Sequence, residues 1–192
     1  MKQSHINEFK RAVRNNAYEV GDEGILLPRQ HINLGGVFTH EVIRDGKSLG
    51  VQSDHNIVVD EGLDHFLDVA LAGATQITSW YIGIFEGNYT PVNTDTAANI
   101  TANSTESTAY DEATREIWVD DAISSHTIDN QTTRADFTIN ATKTIYGAFF
   151  VSASAKSATT GTLVAASRFA ASRAVIALDQ LLVSYSFTIA DA

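Results

Sequence analysis

Alternation of apolar and polar residues is sharpest near the end of the chain. In LLVSYSFTIA, Leu181, Val183, Tyr185, Phe187 and Ile189 share one face of an extended segment, while Leu182, Ser184, Ser186 and Thr188 share the other. A looser version of the same period runs through REIWVD, ADFTINA, TIYGAFFVSAS, GTLVAASRFA and SRAVIA, each bounded by polar or glycine-containing turns. Upstream, VFTHEVI and SLGVQ flank RDGK, where Asp45-Gly46 predicts a tight hairpin, and SWYIGIF, Ser79 to Phe85, reads as a buried strand. Strands at this short spacing predict a mainly β chain. The expected architecture is an antiparallel β-sandwich or jelly-roll-like domain over residues 36–192.

Two segments follow a helical period instead. VVDEGLDHFLDVALAG predicts one amphipathic helix over about residues 60–72, with Asp60 as N-cap and Gly73 as its stop. Leu63, Phe66, Leu67, Ala70 and Leu71 recur at the spacing of a buried face. SHINEFKRAVRNN predicts a short helix over residues 4–16, with Ser4 as N-cap and Ile6, Phe9 and Val13 along one side. A helix of that length is not stable alone, so it must pack on its own domain or on a neighbour. The glycine-rich stretch after it reads as extended, which makes residues 1–35 an N-terminal arm. Between Glu86 and Thr114 lies a long polar stretch with one helical turn expected near TAANITA. So long a segment inside a domain serves a contact or moves.

Charge sharpens this division. The net charge is −10, but residues 1–14 carry a net +3 from Lys2, Lys10, Arg11 and Arg14 against Glu8. The body is therefore strongly acidic, which argues against nucleic acid or an anionic membrane as its partner. The basic leader suits an acidic protein surface, including that of another copy. Absence of cysteine excludes disulfides and thiolate metal sites. No apolar run approaches the length of a membrane span, and MKQSHINEFKRAVRNN has no apolar signal region. The five Asn-X-Thr sequons, at Asn88, Asn99, Asn103, Asn130 and Asn140, then read as a by-product of Asn/Thr-rich loops. A soluble protein made in a cytosol is expected.

Candidate chemistry centres on Asp60, Glu61, Asp64, His65 and Asp68. Glu61 with His65, or Asp64 with Asp68, has the i, i+4 spacing of paired metal ligands, but HExxH is absent and a catalytic zinc needs three protein ligands. Acids in the first turns of a helix are favoured by its dipole, so each of these residues has a helical explanation. The six histidines are scattered, with His40 and His55 expected at strand edges, and no GxSxG, P-loop or GxGxxG is present. Asp111-Glu112 and Asp120-Asp121 lack the spaced pattern of a calcium loop and read as solvated turns. No catalytic residue, metal or cofactor is expected, and the chain does not read as an enzyme. Trp80, Tyr81, Tyr89, Tyr110 and Trp118 offer the aromatics of a sugar platform, although Trp80 and Tyr81 should point to opposite faces. The interface candidates are Phe9, Lys10, Arg11, Val13 and Arg14 in the arm, with Tyr89 and Tyr110 in the long loop.

GVFTHEVIRDGK, then HNIVVDEGLDHFLDVAL, then GATQITSWYIGIF, together with the C-terminal run from Gly147, resemble small virion structural proteins of tailed bacteriophages. The resemblance covers most of residues 36–192 and leaves the arm uncovered. It carries over no catalytic residue. It implies a non-enzymatic particle component, made in the host cytoplasm and located in the virion. A head decoration or cement subunit is the leading expectation; the alternatives are a neck or tail ring, collar or fibre adaptor, or a host-glycan recognition module. The partners it implies are further copies of the same chain (a homo-oligomer) and the major capsid protein or portal and tail proteins.

Overall fold

The computed structural model describes residues 18–20, 26–28 and 32–191. The helix expected over residues 4–16, and with it Phe9, Lys10, Arg11, Val13 and Arg14, lies outside them. The chain divides into a large unit, Leu34–Thr188, and a small one that includes residues 18–20, 26–28 and those from Ile189 onward. In the small unit β1 (Tyr18–Val20) pairs antiparallel with β2 (Leu26–Pro28).

The hairpin expected at Asp45-Gly46 joins β3 (Ile32–Arg44) to β4 (Lys47–His55). Both turn residues are left-handed, with φ of +49° and +71°, the geometry that matches a two-residue turn to the twist of its strands. The chain continues through β5 (Ile57–Val58), α1 (Asp60–Leu71), β6 (Trp80–Phe85) and α2 (Ile100–Ser104). Next come the short strands β7 (Glu116–Trp118), β8 (Thr127–Ile128) and β9 (Ala135–Thr138), and then the long ones β10 (Lys143–Val151), β11 (Leu163–Val175) and β12 (Gln180–Asp191). One sheet has the order β5-β11-β10-β6-β7; the other has β4-β3-β12-β8, with β9 also paired to β12. The fold is mainly β, with two antiparallel sheets in a sandwich-like arrangement.

GTLVAASRFA and SRAVIA, expected as two strands, are the single strand β11. A shift of register opposite Ile145 and Gly147 takes up the extra residues, so the strand bends without ending.

The core between the sheets is aromatic. Phe38 stacks on Tyr185 with ring centroids 4.5 Å apart, and Phe150 meets Tyr185 from the opposite sheet at 4.8 Å. Leu181, Val183, Tyr185 and Phe187 are buried as their alternation predicts, whereas Ile189 is exposed.

Phe149 and Phe150 are both buried although successive strand residues point to opposite faces, so the β10 sheet is covered on both sides. Its outer cover comes from within the segment between Glu86 and Thr114. Ala97 and Ile100 pack there with Val59, Phe85, Phe149 and Leu163 as a second core. Gly147 leaves room for its neighbours in the same sheet: a Cβ there would sit 2.1 Å from the Phe85 ring and 2.2 Å from the Ser167 carbonyl oxygen. The long polar segment is thus a packed lid on a sheet, closed by a buried ion pair between Arg115 and Glu106.

Candidate functional site

Helix α1 forms where expected but is rotated. Its N-cap is Val59, and Asp60 is already helical. Gly73, with φ of +77°, terminates it, and the Ala74 N–H closes back on the Asp68 carbonyl. The face expected to be buried points outward: Leu67 is 58 % exposed, Leu71 is 82 % exposed, and Leu63 and Ala70 lie beside them. Only Phe66 of that set turns inward, stacking on Phe187 with centroids 4.9 Å apart.

Two residues cause the rotation. Gly62, the one buried residue of the helix, lies directly on the backbone of Val164. Glu61 reaches inward, and its Oε2 accepts hydrogen bonds from the Leu163 N–H at 2.7 Å and the Ala97 N–H at 2.8 Å. Those amides belong to the start of β11 and to the lid, so the Glu61 carboxylate stands in for a missing strand partner. Its two amide bonds and the glycine contact decide the orientation against the apolar pattern. Asp60, Asp64 and Asp68 then run along the exposed surface beside the leucines. No group of three or more metal-ligating side chains is found among the described residues.

Beside α1, a cleft of about 230 Å³ opens between the sheets. Phe66, Trp80, Trp118, Phe150 and Phe187 line it, with Asp120 and Gln76 among its polar groups. Trp80 and Trp118 are cross-strand partners on β6 and β7, and their indoles pack on Phe150 at 5.2 Å each, one stacked and one edge-on. The Trp118 Nε1–H donates to the Tyr185 carbonyl at 3.1 Å, which fixes the ring. Such a cavity suits an apolar side chain or the face of a small ring. Both tryptophans are conspicuous in the sequence, but their approach depends on the β6–β7 register, which no local pattern encodes.

His40 is not at a strand edge: it is fully buried. Its Nε2 pairs with Asp54 Oδ2 at 2.9 Å, Nδ1 accepts from Arg173 Nε at 2.8 Å, and the ring stacks on Phe169 at 3.6 Å. Since a guanidinium N–H can only donate, Nδ1 is the acceptor and Nε2 carries the proton. Burial, aided by the positive charge of Arg173, holds the histidine below its usual pKa against the opposing pull of Asp54. A His–Asp pair supplies two members of a catalytic triad, but here Arg173 occupies the nitrogen that would take a nucleophile's proton.

The remaining candidates have local duties. Tyr110 is 1 % exposed in the inter-sheet core, where it meets Phe137 edge-on, so it presents no surface to a ligand or partner. Tyr89 is half-buried and donates to Asp95 at 2.8 Å, closing the loop on itself. Asp111 and Asp120 are exposed, as expected of solvated turns, while their neighbours fasten backbone: Glu112 accepts from the Thr138 N–H at 3.1 Å, and Asp121 from the Thr132 N–H at 3.0 Å. Hydrogen bonds from Thr132 hold the Asp121 carboxyl below the usual range.

Comparison of the chain with protein-family profiles finds no match, and comparison with curated proteins finds none either.

Proposed function

We propose that this chain is a non-enzymatic structural subunit of a tailed-phage particle, seated as a head decoration or cement subunit through contacts with its own copies and with the major capsid protein. The observation that carries this reading is the outward face of α1. Leu63, Leu67 and Leu71 form an apolar stripe on a helix whose seating depends on other residues. A contiguous exposed apolar surface on a rigid body is the mark of an assembly contact. The resemblance of residues 36–192 to virion structural proteins supports the same reading. So does the engagement of both His40 ring nitrogens within the protein.

Quantitative mass spectrometry of purified particles, split into head and tail fractions, tests the proposal. Copies on the order of hundreds in the head fraction would establish decoration. About six to twelve copies tracking with the tail would assign a ring, collar or fibre-adaptor role, as closed ring symmetry requires. Absence from particles would refute the reading.

The aromatic cleft favours host-glycan recognition as a second reading. Its Trp80 and Trp118, rather than Tyr89 and Tyr110, are the residues to test, by quenching of tryptophan fluorescence across a glycan panel.

A further inference from the structure

We infer that the outward face of α1 is the docking site for residues 4–16 of a neighbouring copy. The inference rests on the assembly reading above and names the contact through which copies hold one another.

Two patterns match. On α1, Leu63, Leu67 and Leu71 repeat every four residues, and Asp60, Asp64 and Asp68 repeat alongside them at the same interval. The leucine row spans about 12 Å at helical rise. In the N-terminal segment, Ile6, Phe9 and Val13 recur at helical spacing, and Lys10 and Arg14, four residues apart, form the adjoining row. If helical, that apolar row spans about 10 Å. Each partner therefore presents an apolar row with one charged row beside it, and the charges are opposite. The two faces are complementary in length, hydrophobicity and sign, which fixes orientation as well as attraction.

Leu67 and Leu71 are 58 % and 82 % exposed, and a second copy laying its arm along them would bury both. That arm segment, too short to hold a helix alone, gains in exchange the apolar surface it needs.

The test uses the full chain carrying a photo-cross-linking amino acid in place of Phe9. Natural-isotope and nitrogen-15 preparations are mixed and irradiated, and the cross-links are mapped. Mixed-isotope cross-links into residues 60–73 are expected. The Leu67→Glu/Leu71→Glu variant should lose them and self-associate at least tenfold more weakly by light scattering. Lys10→Glu/Arg14→Glu should do the same, and adding Asp64→Lys/Asp68→Lys should restore both readouts. The inference is overturned by cross-links confined to one isotope, which would mean that each arm lies on its own chain. It is equally overturned by cross-links to another surface, or by self-association unchanged in the leucine variant. Particle incorporation is scored separately. Protein in particles without the cross-link removes only this inference; the cross-link in a protein absent from particles removes only the phage reading.

Discussion

Gly62 lies so close to Val164 that a Cβ on it would come within 2.7 Å of both the Val164 Cα and its carbonyl oxygen. Gly62→Ala must therefore push the helix off β11. Alanine normally stabilises a helix interior by up to about 1 kcal/mol over glycine, so the sign of the effect is diagnostic. A loss of about 1–3 kcal/mol in urea unfolding is expected from the overpacking. Leu67→Glu, on the opposite side, should stay within about 0.5 kcal/mol of wild type despite exchanging an apolar residue for a charge. Reversal of that order would mean that the helix packs on its leucine face after all.

The lid over the outer sheet face depends on a different pair. Arg115, fully buried, meets Glu106 through two hydrogen bonds of 2.7 and 2.8 Å and also donates to the Ala153 carbonyl at 2.9 Å. Removing one partner strands a buried charge. Arg115→Met should cost about 3–5 kcal/mol, and Arg115→Met with Glu106→Gln together should cost less than the single change. Hydrogen exchange would show protection lost first between residues 86 and 114. Uniform loss across β12 as well would indicate that lid and sandwich unfold as one.

His40 makes stability depend on pH near neutrality. Folding depresses its pKa below the ordinary 6.5, so below that pH the unfolded chain binds more protons than the folded one. Its contribution is complete above 6.5 and is lost as pH falls from there toward the folded value. The melting temperature should decline over that interval. His40→Gln keeps a donor and an acceptor but cannot become charged, and should flatten the decline whatever its absolute stability. An unchanged slope would assign the effect to other groups.

Glu116 and Asp136 work in the opposite sense. Burial raises both carboxyl pKa values, and the neighbouring Glu112 charge adds to each. The folded state then holds their protons more tightly, so the penalty is complete at neutral pH and relaxes as pH falls through their folded values. Glu116→Gln should melt above wild type at pH 7, with the gap closing on acidification. A gap that stays constant with pH would point to packing rather than charge.

Strand pattern and turn chemistry made most of the sandwich legible in the sequence. The Asp45-Gly46 hairpin, the strand at Trp80–Phe85 and the inward face of β12 follow from period and turn residues alone. The lid did not, because its contacts are few and specific: between Tyr89 and Ala109 the buried apolar side chains are Pro91, Ala97 and Ile100, in a stretch rich in Thr and Asn. The rotation of α1 was hidden for a related reason. An amphipathic pattern says which residues would gain from burial, but a glycine contact and one carboxylate with two backbone amides outweighed it. The burial of His40 depends on Arg173, 133 residues away along the chain.

The seating of α1 also separates two kinds of selection. Gly62 and Glu61 hold the helix, so changes there are purged by the need to fold. Leu63, Leu67 and Leu71 are exempt from that filter, and drift alone would soon replace exposed leucines with polar residues. In any set of descendants of this chain, leucines that persist at those three positions while the surface around them varies would record a partner's demand.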